Sequence, residues 1–183
     1  MKNKICYVVT VPVTIRAFFI PQLKYLSKHG YDVTVICSDD KKIEAELGDL
    51  IRYIPVDIPR GISIGGSIRA IKELKKIFVR EKFDLIQYST PNAALYASIA
   101  AKRAGCEIRN YHLMGLRYLG AKCIGRFILK EIEQIACYNS TSIECVSKSN
   151  LNLAINEKLF KSEKATVVWN GSSGGVDLKR FDY

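Results

Sequence analysis

The chain has 183 residues, with 28 Lys and Arg against 18 Asp and Glu, a formal charge of +10. Apolar residues make up 48%, with 12 Gly and 5 Pro, which excludes a disordered or collagen-like chain and leaves a domain with a real core. The most apolar early stretch, Ile5 to Ile20, is interrupted by Pro12, Thr14 and Arg16, so it reads neither as a bilayer span nor as a leader with a cleavage site.

In chain order, Ile5 to Val9 is a buried strand, followed by a helix with Phe18, Leu23 and Leu26 on its apolar side. That helix stops at His29-Gly30, a cation in the last turn followed by a glycine cap. Asp32 to Cys37 is the second strand, Lys41 to Gly48 a polar helical stretch, and Ile51 to Pro55 a short third strand. After a Gly/Pro/Ser loop, the spacing of Ile68, Ile71, Leu74 and Phe78 predicts a helix over about Ser67 to Lys82. Asp84 to Tyr88 is the fourth strand. Thr90 then reads as an N-cap and Pro91 as the first position of an alanine-rich helix that ends at Gly105. Cys106 to Tyr111, Ser142 to Val146 and Ala165 to Trp169 are further strands. Helices are expected over Lys122 to Tyr138 and from Ser147 onward.

This alternation predicts an α/β fold: a Rossmann-like three-layer α/β/α sandwich around a mostly parallel sheet of about seven strands. Residues 1–169 form the domain, and 170–183 read as a linker, from the Asn-Gly-Ser-Ser-Gly-Gly run at Asn170 to Gly175. Ligands of such sheets bind beyond the C-terminal ends of the strands. Four segments belong there: Thr10 to Arg16, Ser89 to Asn92, His112 to Lys122, and Asn170 to Gly175.

Several chemistries are excluded by missing motifs. No Gly-x-Gly-x-x-Gly follows the first strand, no Gly-x4-Gly-Lys-Ser/Thr loop is present, and no Gly-x-Ser-x-Gly elbow follows a strand. Cys6, Cys37, Cys106, Cys123, Cys137 and Cys145 form no C-x-x-C pair, and none lies near His at metal spacing. Reduced thiols of this kind point to the cytoplasm. His29 ends a helix and reads as structural. His112, just past the fifth strand, is either a loop histidine bonded to backbone or a group that meets a substrate hydroxyl or phosphate.

From Arg109 to Lys130 there are five basic residues and no acid, with Lys122, Arg126 and Lys130 four apart on one helix stripe and Phe127, Ile128, Ile132 and Ile135 mostly on the other side. Lys72 and Lys76 belong to a second basic helix. Such stripes are either solvated faces or contacts for an anionic partner, whether a membrane surface or a phosphorylated ligand. Nucleic acid is not expected, because basic and aromatic residues do not interleave and no motif is recognisable.

Leu26 to Ile36, Phe83 to Ala101 with its Thr90-Pro91, His112 to Tyr118, then Arg126, Glu131 and Glu133, Cys145 to Ser147, and Gly175-Val176-Asp177 with Phe181 are similar to successive segments of one family. The pattern resembles the N-terminal half of retaining GT-B-fold glycosyltransferases of the family-4 type, within the capsular and surface-polysaccharide group. The resemblance implies a transferase that takes a nucleotide sugar as substrate and needs neither a cofactor nor a metal. It implies that His112 lies near the sugar-transfer site, and that Thr10, Thr14, Arg16, Thr90 and Arg117 face the acceptor or its phosphate. Asn170, Gly171, Gly175 and Asp177 lie on the donor side between domains. Lys122, Arg126, Lys130, Lys72 and Lys76 then meet an anionic membrane carrying a glycan or lipid-linked acceptor. The donor would be held by a second domain that these residues do not include, so the chain alone is expected to be inactive, peripheral to the inner membrane face, and prone to self-association through its interdomain face. Two departures stand out: the first loop lacks the glycine pair of many relatives, and Gly174 stands where Asn is common before Gly-Val-Asp. The other readings are a stand-alone Rossmann-like module for an anionic ligand or membrane, or a subunit of a split transferase.

Overall fold

The computed structural model describes residues 3–61, 63–175 and 178. Its centre is a seven-stranded sheet in the order β3-β2-β1-β4-β5-β6-β7. The strands are β1 (Lys4–Val8), β2 (Asp32–Cys37), β3 (Ile51–Pro55), β4 (Leu85–Tyr88), β5 (Ile108–Leu113), β6 (Ser142–Cys145) and β7 (Ala165–Thr166). Every neighbouring pair is parallel. The last strand is two residues long, shorter than the expected run to Trp169.

The period of two along each strand sorts side chains onto the two faces. Tyr7, Val9, Val33, Val35 and Cys37 pack with Ile15, Phe19, Leu23, Ile43 and Leu47, that is, with α2 (Ile20–Lys28), the turn before it and α3 (Ile43–Leu47). Cys6, Val8, Ile36, Ile86, Tyr88, Tyr111, Leu113, Ile143 and Cys145 pack on the opposite face. There they meet α4 (Ile64–Glu81), α5 (Pro91–Arg103), α6 (Cys123–Asn139) and α7 (Lys148–Asn156). Alanines line the inner side of α5 at Ala93, Ala94, Ala97, Ala100 and Ala101, which lets that helix sit close to the sheet between α4 and α6.

Three expectations of facing are corrected. Between α1 (Pro12–Thr14) and α2 the chain makes a π-helical turn, Ile15–Phe19, with the Ile20 N–H bonded to the Ile15 carbonyl. The wider turn advances the register, so Phe19 is fully buried and Phe18 is 41% exposed. In α4 the buried stripe is Ala70, Leu74, Ile77 and Phe78. Ile68 lies about 120° around the helix from Leu74 and is exposed. In α6 the buried residues are Glu133, Ala136, Cys137 and Asn139, so Phe127, Ile128 and Ile135 face solvent.

Candidate functional site

The strand order reverses between β1 and β4, the crevice where open α/β sheets take ligands. Thr10 and Thr90 close it. Their hydroxyls lie 2.7 Å apart, and the Thr10 N–H donates to Thr90 Oγ1 at 3.2 Å. Ser38 Oγ donates to the Thr10 carbonyl at 2.8 Å, so the ends of β1, β2 and β4 are tied together. Thr90 does not cap α5 as expected. Its φ is +70°, its side chain makes no capping bond, and its hydroxyl is engaged by Thr10 instead. A β-branched residue held there stores about 1–3 kcal/mol of strain, a cost that proteins concentrate at ligand sites.

Beside Thr90 opens a cavity of about 440 Å³, lined by Thr90, Pro91, Tyr111, Met114, Gly115, Leu116 and Arg117. Arg117 is exposed and begins the 3-10 turn Arg117–Gly120 that follows β5. Thr14 is half-buried one turn into the first loop, where its N–H bonds the Val11 carbonyl. Arg16 is drawn elsewhere: its Nε meets Glu46 at 2.6 Å and its Nη1 meets Asp40 at 2.9 Å. The guanidinium holds the Asp40 carboxyl down at about 2. Two carboxylates therefore compete with any anionic ligand for Arg16.

His112 is the penultimate residue of β5, inside the strand rather than just past it as expected, with its side chain 4% exposed. The Phe19 ring meets it edge-on at 5.6 Å between centroids, and Nδ1 is 3.4 Å from Glu144 Oε2 on β6. Beside the residues that follow β6 runs the segment 170–175. Gly171 has φ +86°, and a Cβ there would lie 2.3 Å from the Val146 carbonyl oxygen, so only glycine fits. The Ser172 N–H donates to that same oxygen at 2.6 Å, while Ser172 Oγ accepts from the Gly175 N–H at 3.0 Å. Asn170 is exposed, and Asp177 lies outside the described residues.

The basic residues form a separate surface. Lys130 and Arg126 both reach Glu157 on the turn after α7, at 2.5 and 3.5 Å, and both lie 6.0 Å from the Tyr118 ring centroid. Lys122 is exposed at the start of α6. Lys72 and Lys76 line a shallow depression on the outside of α4 with Arg69, Glu73 and Arg80.

Among the described residues, the buried side-chain nitrogens and oxygens with no hydrogen-bond partner are Arg16 Nη2, both ring nitrogens of His112, and the Tyr118 hydroxyl. Arg16 and Tyr118 lie in the segments that follow β1 and β5, and His112 lies in the last residues of β5, all at the C-terminal edge of the sheet. Buried polar atoms are nearly always paired, so this edge is built to receive polar groups from outside. Sequence reasoning passed over Glu144, Phe19 and Glu157. Glu144 had a readable signal, a carboxylate inside a strand expected to be buried on both faces. Among the described residues no group of three or more His, Cys, Asp or Glu gathers in a metal-binding arrangement.

A parallel sheet with its switch point between β1 and β4, and a polar site spread over the loops beyond it, defines a Rossmann-like ligand-binding unit. The chain matches the glycosyl transferase 4-like family over residues 4–147, and it belongs to that family. It is 32% identical over 182 residues to the capsular polysaccharide biosynthesis glycosyltransferase CapM of Staphylococcus aureus, covering 99% of this chain and 47% of that one. It is 24% identical over 186 residues to the UDP-Gal:alpha-D-GlcNAc-diphosphoundecaprenol alpha-1,3-galactosyltransferase of Escherichia coli, covering 98% and 46%. The chain therefore spans about half the length of these relatives. In fold it is similar to the UDP-GlcNAc 2-epimerase of Methanocaldococcus jannaschii, with TM-score 0.67 and 19% identity, over 91% of this chain and 45% of that one.

Proposed function

We propose that the chain is the N-terminal, acceptor-binding half of a glycosyltransferase that moves a sugar from a nucleotide-sugar donor to a glycan or lipid-linked acceptor with retention of configuration. The observation that carries this reading is the family match over residues 4–147, which spans all three strand ends that build the site. Residues 170–183 lead into a donor-binding domain supplied by the other half of the enzyme. Negative charge develops on the departing nucleotide diphosphate and positive charge on the sugar, and most of that stabilisation falls to the second domain. The reading invokes no cofactor or metal.

On this half, Arg117, which has no ion-pair partner among the described residues, offers the cavity a cation for an acceptor diphosphate. Thr90, held by Thr10, lines the cavity, and His112 helps position the sugar or the acceptor hydroxyl. The basic and apolar start of α6 rests against the anionic membrane that carries the acceptor. Lipid-linked acceptors are favoured because Met114, Leu116 and Pro91 make the cavity wall largely apolar.

The test titrates the chain with a prenyl-diphosphate-linked sugar and, separately, with UDP. The acceptor analogue is expected to bind, and Arg117→Ala to weaken it at least fivefold with folding unchanged. Tight UDP binding with no acceptor binding would assign this half to the donor. No sugar transfer is expected from the chain alone.

A further inference from the structure

His112 and Glu144 are register partners on adjacent parallel strands, so their side chains leave the sheet side by side on the same face. Around them stand Tyr7 from β1, Phe19 from the π-helical turn, and Asn110 two residues before His112. Asn110 is held in its own polar row across the sheet. Its Nδ2 donates to Gln87 Oε1 at 3.0 Å, and its Oδ1 accepts from Ser142 Oγ at 2.9 Å. Among the described residues, the charged group paired with the imidazole is Glu144, 3.4 Å from Nδ1. Nε2 is buried with no partner from the described residues.

A histidine that served only to hold the strands together would satisfy both nitrogens, since leaving one buried and bare costs about 1–3 kcal/mol. We propose that Glu144 is a positioning residue: it accepts the Nδ1–H of His112, fixes that tautomer, and leaves Nε2 as the acceptor for a hydroxyl of a carbohydrate ligand. The choice of carbohydrate rests on the transferase reading above, but the pairing itself does not. The contact is longer than a formed hydrogen bond, as is common in ligand-free sites, and it shortens when the ring is engaged from its other side. The imidazole in turn holds the Glu144 carboxyl below the usual carboxylate range, with Asn110 assisting.

The chain is suited to a direct test, because His112 and His29 are its two histidines. His29 stacks on Tyr25 at the surface, so His29→Gln removes the second imidazole signal without touching the site. Ring-nitrogen NMR of this variant should show His112 in the Nδ1–H tautomer when neutral, against the Nε2–H preference of free imidazole. Glu144→Gln, a weaker neutral acceptor, should shift neutral His112 toward the Nε2–H tautomer, while Glu144→Asp restores most of the Nδ1–H form. A packing role would leave the tautomer unmoved. An Nε2–H tautomer in the parent, or an unchanged tautomer ratio in a folded Glu144→Gln variant, overturns the assignment. Should that variant fail to fold, the tautomer of the parent decides alone. None of these readouts requires transferase activity, so the pairing and the transferase reading fail separately.

Discussion

Glu133 is buried in α6 with the Tyr111 hydroxyl donating to it, and burial lifts its carboxyl to about 7. The sign follows from linkage. The unfolded carboxyl loses its proton near 4.5 and the folded one near 7, so this group favours folding at low pH and loses that contribution as pH rises through 7. Glu133→Gln keeps an acceptor for Tyr111 and removes the titration. It should match the parent near pH 4 and exceed it by up to about 3 kcal/mol at pH 8, read by denaturant unfolding at both pH values. The residues of the site were legible to different degrees. His112 and Thr90 were found because their places at strand ends follow from strand direction alone. Their chemistry was hidden, because it depends on neighbours distant in the chain. Thr90 meets Thr10 across 80 residues, and that long-range bond overrides the local N-cap preference. Arg16 meets acids 24 and 30 residues away, which no local pattern announces.

Among the elements, strands and helices were read correctly in order and type, since apolar runs and turn residues are local signals. Facing was less legible. A π-helical turn inserts a residue without changing composition, so Phe18 and Phe19 exchange roles. In α6 the apolar residues of the first turns were assigned to the core, yet the helix meets the rest of the domain mainly through its last turns. Ile124 is 76% exposed and Phe127 65%, interleaved with Lys122 and Arg126. An apolar tip ringed by cations suits a bilayer interface, where aromatic and aliphatic groups enter and lysines meet phosphates. The double variant Ile124→Ser, Phe127→Ser should therefore lose sedimentation onto anionic vesicles while its unfolding midpoint changes little. Retained sedimentation would leave charge alone as the attraction, and added salt would then abolish it.

For the whole molecule, the sheet carries a packed apolar core on each of its two faces. Among the described residues, no helix is long and apolar enough to cross a membrane. The thiols follow the same architecture. Cys6, Cys37, Cys106, Cys137 and Cys145 are buried and Cys123 is exposed, all unpaired. Burial raises the buried thiols, Cys37 to about 12 and Cys145 to about 11, which removes their reactive thiolate form at neutral pH. A thiol reagent at pH 8 should therefore label one site quickly and the other five only after denaturant. Fast labelling of a second site would reveal local opening of the core. Trp169 is 91% exposed beside the 170–175 segment.

The two outer strands of the sheet carry one more consequence. A free strand edge is a template on which other chains assemble, and long flat edges drive fibre growth. Here β3 ends in Pro55, which has no N–H to offer, and Arg52 on it is engaged by Glu81. On the far side, β7 presents two residues. The β7 border offers too short a run for an incoming strand, and the β3 border loses its last donor at Pro55. A parallel sheet whose strands are joined through long crossovers forms slowly, and it passes through partly assembled states in which its borders are open. Short, interrupted margins shield this fold from sticking to its own copies while it is still being built.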